Sequence, residues 1–181
     1  MTDLLFFDTD CISAFLWVNN QSLLPILYPG RIVIPKPVYL ELSKPGISHL
    51  KRRLDMMLAN KEAVLEEIII GTDVYMTYYQ LTEAPTGKHK VIGKGEAASI
   101  ALAKELGGIV ASNNLKDIKS YIIEFGLDHI TTGDILVTAL QKGLITESQG
   151  NIIWYEMLDK RRKIGASSFT EYLSLRERKN T

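Results

Sequence analysis

Short apolar runs alternate along the chain with longer segments in which apolar residues recur every three or four positions. The short runs are typical of strands that are covered on both faces, and they lie at residues 4–7, 31–34, 109–111 and 129–131. The periodic segments predict helices at residues 10–18, 37–42, 48–59, 72–81, 95–106, 113–125, 133–142, 147–161 and 169–177. Residues 65–70, between two of these helices, are assigned as helical on a weaker pattern. This alternation of strands and helices predicts an α/β fold with a parallel sheet and right-handed crossovers.

Polar residues follow two of the predicted strands at the point where each strand ends. Asp8 comes directly after the first strand. A second group follows the strand at residues 109–111, and its members are Asn113, Asn114 and Asp117. In an open parallel sheet the carboxyl ends of the strands share one edge, and ligands bind outside that edge. We therefore expect these side chains to lie close together in a candidate site.

Two further carboxylates stand on predicted helices that reach the same edge. Glu41 and Glu96 both lie on early turns, the first behind Pro37 and the second behind Gly95. Carboxylates that are held together repel one another, and a divalent cation with oxygen ligands, such as Mg²⁺ or Mn²⁺, relieves the repulsion. A cation held in this way lowers the pKa of bound water and stabilises charge on a phosphoryl group. The acids therefore predict hydrolysis of phosphodiesters without a covalent intermediate on the protein.

Each acid also has a purely structural explanation. Asp8 and Asp10 are both suited to cap the first helix. The dipole of a helix favours a negative charge in its first turn, where Glu96 stands. Glu41 and Asp117 are compatible with solvated helix surfaces. Only the joint placement of these residues at strand ends and helix starts favours a site.

The composition limits the class of protein. The chain has 181 residues, 46% of them hydrophobic, which suits one domain with a buried core over residues 1–181. The single cysteine, Cys11, excludes a disulfide within the chain and a cysteine-rich zinc site. No apolar run approaches the roughly 20 residues that a membrane helix needs, and the first residues do not resemble a secretory signal. We therefore expect a cytoplasmic protein that does not cross a membrane.

The charge balance neither favours nor excludes a polyanionic partner. Lysine and arginine total 21, and so do aspartate and glutamate. Two basic runs stand out, Lys51-Arg52-Arg53 and Lys160-Arg161-Arg162-Lys163. Solvated helix faces are the simpler explanation for both runs, and a rim that binds phosphates is the alternative.

Several short motifs resemble those of PIN domains in their order and spacing. The motifs are Phe7-Asp8-Thr9-Asp10-Cys11-Ile12, Ile34-Pro35-x-Pro37-Val38-Tyr39-x-Glu41-Leu42, Gly95-Glu96-Ala97-Ala98-x-Ile100-Ala101-Leu102-Ala103 and Val110-Ala111-Ser112-Asn113-Asn114-x-x-Asp117-Ile118. Residues 130–136, 142–145 and 169–173 are similar to a poorly characterised PIN-like group, many members of which lie in operons like those of toxin–antitoxin pairs. The resemblance covers most of the chain.

The resemblance implies a three-layer α/β/α fold with a central parallel sheet. It also implies a ribonuclease site that depends on Mg²⁺ or Mn²⁺. Matched one position at a time, Asp8 is the first acid, Glu41 the second and Glu96 the third, a position that is aspartate in many PIN domains. Asp10 stands where many members have a small polar residue or asparagine, and it adds a charge near the site or braces it.

The fourth acid is open to two alignments. In one, Asn113 or Asn114 replaces an aspartate directly after the strand, which would weaken the binding of a metal. In the other, which we favour, Asp117 is the fourth acid and Asn114 assists it in binding the metal. Ser112 stands where threonine is usual, and its hydroxyl is equally suited to orient a carboxylate of the first strand or to cap the next helix.

The function that the resemblance implies is cleavage of RNA by a toxin ribonuclease. Such toxins commonly form homodimers, and each is paired with an antitoxin protein that covers or enters the acidic cleft. The first alternative is a catalytically weak domain that binds RNA or protein, because Asn113 and Asn114 are neutral.

A phosphatase of the haloacid-dehalogenase type is the second alternative. Asp8 and Asp10 after an apolar strand match the nucleophile and the general acid of that family. Gly133 and Asp134 match part of a later motif, but Thr138 stands where that motif requires an aspartate. The sequence also predicts no helical cap domain. This reading is therefore the weaker of the two alternatives.

Overall fold

The computed structural model of the chain describes residues 3–85 and 90–179, with the backbone alone at residue 179. The strands are β1 (Leu5–Phe7), β2 (Ile32–Pro35), β3 (Val64–Glu66), β4 (Ile109–Ala111) and β5 (Asp128–Ile130). The helices are α1 (Thr9–Trp17), α2 (Leu23–Leu27), α3 (Lys36–Leu42), α4 (Ser48–Ala59), α5 (Asp73–Thr82), α6 (Lys94–Leu106), α7 (Leu115–Glu124), α8 (Thr132–Gln141), α9 (Glu147–Asp159) and α10 (Phe169–Lys179). Within the described ranges, the five strands form one sheet in the order β3-β2-β1-β4-β5, and every neighbouring pair is parallel.

Helices cover both faces of this sheet. Successive side chains of a strand point to opposite faces, so Leu5 and Phe7 enter one hydrophobic core while Phe6 enters the other. The first core is closed by α1, α4, α8 and α9, and the second by α6 and α7. All three β1 side chains are fully buried, which explains why the strand reads as a continuous apolar run. The predicted α/β class and the three-layer α/β/α arrangement are confirmed.

Most predicted elements lie within one or two residues of the observed ones, and two segments differ. Helix α2 was not predicted, because it has only five residues and contains Pro25. The helical assignment of residues 65–70 is wrong: their start belongs to strand β3, which was not predicted, and Ile69 and Ile70 are exposed rather than packed on one helix face. None of the helices in the described ranges is both long enough and apolar enough to cross a membrane.

The topology places the carboxyl ends of β1 and β4 at the centre of one edge. After β1 the chain passes to β2 on one side, and β4 lies on the other side, so the direction of winding changes between β1 and β4. The ladder extends one residue further, because the backbone N–H of Asp8 donates to the Ala111 carbonyl at 2.9 Å. Asp8 and Ser112 are therefore neighbours at this switch point, where open α/β sheets bind their ligands.

Candidate functional site

Asp8 is a fully buried carboxylate at the switch point. It has an extended backbone and is the N-cap of α1, and its Oδ1 accepts a hydrogen bond from the Cys11 backbone N–H at 2.7 Å. Its other oxygen, Oδ2, is buried, and no donor among the described residues bonds to it. Buried polar atoms almost always have a partner. The capping role predicted for Asp8 is thus confirmed, but it accounts for only one of the two oxygens.

Burial raises the pKa of Asp8 from 3.8 to about 7, because the carboxylate loses its hydration. The charges of Asp10 and Glu96 raise this pKa further, while the Ser112 hydroxyl and the Cys11 amide lower it. Ser112 acts as a nearby dipole rather than a partner, since its hydroxyl forms no hydrogen bond of ordinary geometry with Oδ2. A buried carboxylate of this kind is stabilised in its charged form by a cation.

Glu96 and Asp117 are joined by the side-chain amide of Asn114. Nδ2 of Asn114 donates to Oε1 of Glu96 at 2.6 Å and to Oδ2 of Asp117 at 2.7 Å. Burial raises the pKa of Glu96, and the nearby charges of Asp10 and Asp117 add to the effect against the opposing hydrogen bonds of Asn114 and Gly93. Glu96 also raises the pKa of Asp8, so the structure brings these groups into one electrostatically coupled set. We call Asp8, Asp10, Glu96 and Asp117 the acidic cluster.

Glu41 lies beside this cluster but is held separately. It is the sixth of the seven residues of α3, so its predicted place on an early turn is wrong, and it reaches the edge from the end of the helix. Its Oε2 accepts a hydrogen bond from the Thr9 hydroxyl at 2.6 Å. Thr9 follows Asp8 directly, and Gly95, which precedes Glu96, lies against the same pair. Neither Thr9 nor Gly95 stood out in the sequence as part of a site.

Replacing Gly95 with alanine should destabilise the protein. A Cβ at this position would lie 2.5 Å from Oγ1 of Thr9 and 3.4 Å from Cγ2 of Val38. Alanine is favoured over glycine inside a helix by about 1 kcal/mol, but overpacking costs about 1–3 kcal/mol. We expect chemical denaturation to give a lower free energy of unfolding for Gly95→Ala, and the loss should shrink when Thr9→Ala supplies the space. A Gly95→Ala variant that is more stable than the wild type would contradict this packing.

Asn113 is fully engaged in holding the fold. Its Oδ1 accepts from the Thr132 backbone N–H at 2.9 Å, and its Nδ2 donates to the Thr132 hydroxyl at 2.9 Å. Asn114, in contrast, points its amide at the acidic cluster. These contacts support the alignment in which Asp117 and Asn114, rather than Asn113, belong to the site. Ser112 does not cap α7, since Asn114 is the N-cap, and its hydroxyl instead accepts from the Asn114 backbone N–H at 3.1 Å.

A basic loop stands next to the acidic cluster. We use this name for Arg161, Arg162 and Lys163, which line a cavity of about 210 Å³ together with Asp10 and Asn113. The guanidinium of Arg162 lies 5.8 Å from the centre of the Trp17 ring, and its Nε donates to the Lys160 carbonyl at 3.0 Å. The loop is thus held in place with positive charge beside the carboxylates. This position favours the phosphate-binding interpretation of the second basic run.

The first basic run has a structural role. It lies on α4, where Lys51 forms an ion pair with Asp55 at 2.6 Å and Arg53 donates to the Leu16 carbonyl. The ion pair lies within α4, and the hydrogen bond of Arg53 joins α4 to the end of α1. A helix face with structural contacts, rather than a rim that binds phosphates, therefore explains this run.

The donor set fits a divalent cation in part. Among the described residues, no group of three or more acidic, histidine or cysteine side chains is placed to hold a metal ion in the observed arrangement. Two observations nevertheless fit a cation with oxygen ligands: the unpaired buried Oδ2 of Asp8, and the convergence of Glu96 and Asp117 on one amide. An amide can present its oxygen as well as its nitrogen, so Asn114 is also a suitable ligand.

Comparison with known proteins identifies the family. A family model described as a PIN domain matches residues 4–178 of the chain. No curated protein and no solved structure shows significant similarity to the chain. The resemblance drawn from the short motifs is confirmed by the match, which extends over nearly the whole chain.

Proposed function

Because the chain belongs to the PIN domain family, whose members are generally nucleases, we propose that it is an endoribonuclease that hydrolyses RNA with Mg²⁺ or Mn²⁺. The observation that carries this function is the buried, unpaired Oδ2 of Asp8 at the switch point, electrostatically coupled to Glu96. Burial disfavours the charged form of this carboxylate, and a bound cation would stabilise that form.

We assign the roles of the residues from the family resemblance, and their contacts support the assignment. Asp8, Glu96 and Asp117 hold the cation, and Asn114, which already joins the last two, assists them. Glu41 is the remaining acid of the catalytic set, and the Thr9 hydroxyl fixes the orientation of its carboxylate. When bound, a divalent cation supplies a water of lowered pKa and stabilises charge on the phosphodiester.

The basic loop supports a polyanionic substrate. Arg161, Arg162 and Lys163 share a cavity with Asp10 of the acidic cluster. A substrate with several phosphates is able to bind the loop with one phosphate while another lies at the acids. The contact of Arg162 with Trp17 means that less side-chain freedom is lost when a phosphate binds.

We further propose that residues 1–181 act as one domain and as the toxin of a toxin–antitoxin pair. The resemblance to the toxin ribonucleases supports this part, together with a homodimer and a cognate antitoxin as partners.

Cleavage of RNA by the purified full chain tests the function. With Mn²⁺ the wild type should cleave single-stranded or structured RNA, and a chelator should stop it. Asp8→Asn and Glu96→Gln should each reduce the rate roughly a thousandfold, because each removes a ligand from a centre that supplies several kcal/mol of transition-state stabilisation. The matched control is Asp128→Asn, since Asp128 is an exposed residue at the opposite edge of the sheet. Equal rates for the wild type and the two site variants would refute the nuclease.

A binding module without catalysis is the second candidate. It is favoured by the observed arrangement, in which Nδ2 of Asn114 satisfies Glu96 and Asp117 and no cation is required between them. This candidate predicts that the wild type retains RNA on a filter at low salt, cleaves none of it with either cation, and binds equally well after Glu96→Gln.

A further inference from the structure

A second, larger cavity lies beside the acidic cluster and has no role in the chemistry described so far. It has a volume of about 420 Å³, within the range of small-molecule sites, and is built from the start of α7, the strand β5 and the helix α10. Its walls include Leu115, His129, Ile164, Tyr172 and Leu175. We call it the His129 cavity.

The His129 cavity is continuous in the chain with the basic loop. Asn113 lines both cavities, and Ile164 and Gly165 of the larger one directly follow Lys163 of the smaller one. A polynucleotide whose phosphate lies on the basic loop therefore has an adjoining nucleotide within reach of the larger cavity. The two cavities form one candidate path away from the acids.

The walls of the cavity suit a flat ring. Leu115 and Leu175 are 41% and 39% exposed, so both present apolar surface to the cavity. Tyr172 and Ile164 also line the cavity, with Ile164 only 5% exposed. Unpaired nucleobases bind proteins by stacking on such aromatic and apolar surfaces.

Two polar groups in the walls provide both kinds of hydrogen bond. Nε2 of His129 lies 2.8 Å from the Ser112 carbonyl oxygen, which can only accept, so Nε2 carries the proton. Burial lowers the pKa of His129, which favours the neutral ring, and in that form Nδ1 is an acceptor. Arg176 bonds to Asp134 through one guanidinium nitrogen, and its side chain is 42% exposed, so it retains further N–H donors. The edge of a nucleobase carries both donors and acceptors.

The cavity is preformed by contacts between α10 and α8. The Tyr172 hydroxyl lies 2.8 Å from the Thr131 hydroxyl and 3.1 Å from Oδ1 of Asp134. The ring of Tyr172 packs so closely on Gly133 that any Cβ there would overlap it. The side chains that line the cavity are therefore already ordered, and little free energy is lost in ordering them when a ligand binds.

We propose that the His129 cavity binds an unpaired base of the RNA, from a nucleotide next to the phosphate that the basic loop holds. This base subsite rests on the proposed function, since it needs an RNA substrate. It adds to that function a recognition element outside the acidic cluster. Stacking on Leu175 and Tyr172 supplies affinity, while His129 and Arg176 contact the edge of the base.

The test compares the full chain with two variants of α10. Leu175→Asp places a charge on the wall of the cavity, and Ser174→Asp places the same charge on a neighbouring exposed residue that does not line it. Binding of a short single-stranded RNA is measured by fluorescence anisotropy in EDTA, which prevents cleavage. The same RNA is then measured with a single abasic nucleotide at each position in turn. Thermal unfolding of both variants checks that they fold.

For the wild type and for Ser174→Asp, one abasic position should weaken binding about tenfold, since one stacked base is lost. Leu175→Asp should weaken binding of the intact RNA about tenfold and should be insensitive to the abasic position. If RNA binds but no abasic position matters, or if Leu175→Asp keeps the abasic effect, the base subsite is wrong while the nuclease stands. If the wild type neither binds nor cleaves RNA, the proposed function fails and the subsite with it.

Discussion

Between pH 4 and pH 8, the stability of Asp8→Asn relative to the wild type should rise by about 4 kcal/mol in the absence of divalent cations. The folded protein binds the Asp8 proton up to a pKa of about 7, while the unfolded chain releases it near 3.8. The free energy of unfolding of the wild type therefore falls as the pH rises from 4 to 7 and levels off above that. Asparagine does not titrate, so the variant lacks this fall.

Comparing the free energies of unfolding of the two proteins at several pH values separates the effect of the Asp8 charge from the other effects of the substitution. The Asn side chain keeps an oxygen to accept from the Cys11 amide, but it leaves an N–H group where Oδ2 had no partner. That change shifts the stability of the variant by the same amount at every pH. Urea denaturation of both proteins at several pH values gives the comparison, with Asp128→Asn as a carboxylate control. Parallel pH profiles for wild type and Asp8→Asn would show that Asp8 is not titrating in this range.

Adding Mn²⁺ at pH 8 should stabilise the wild type more than Asp8→Asn and so offset most of this change in relative stability. At a concentration one hundred times its dissociation constant, a ligand that binds only the folded state stabilises it by about 2.7 kcal/mol. The wild type should gain this amount, and Asp8→Asn should gain much less. Below pH 7 the cation has to displace the proton of Asp8, so its apparent affinity should fall by about tenfold per pH unit.

Thermal unfolding with and without Mn²⁺ measures this gain. Asp128→Asn should be stabilised as much as the wild type, because it lies at the other edge of the sheet. If Mn²⁺ stabilises Asp8→Asn and the wild type equally, the cation binds at another site. If Mn²⁺ stabilises the wild type equally at pH 5 and pH 8, its binding does not depend on the charge of Asp8.

The sequence predicts the framework of the site because each part depends on local patterns. The run at residues 4–7 is buried on both faces, and Asp8 ends it as the cap of the next helix. The strand at Ile109–Ala111 was predicted with its observed bounds. Parallel strands then bring the residues after both of them to one edge, so the proximity of Asp8 to Ser112 follows from periodicity and topology alone.

Other features depend on contacts between distant residues, which periodicity does not encode. Which asparagine faces the acids is decided by Thr132, 19 residues after Asn113. The basic loop follows α9, about 150 residues after Asp10 in the chain, and it lies near Asp10 because α9 packs against α1. Glu41 was placed on the correct edge but on the wrong part of its helix, because α3 has only seven residues and its sixth position is already at the end.

The central claim is that Asp8 and Glu96 bind the same divalent cation, and a titration with Mn²⁺ followed by electron paramagnetic resonance tests it most directly. The signal of free Mn²⁺ reports the bound fraction without RNA, cleavage or unfolding. At pH 8 the wild type and Asp128→Asn should bind Mn²⁺ with similar affinity, and Asp8→Asn and Glu96→Gln should each bind it at least tenfold more weakly. Binding that is unchanged in both site variants, or absent from the wild type, would contradict the account.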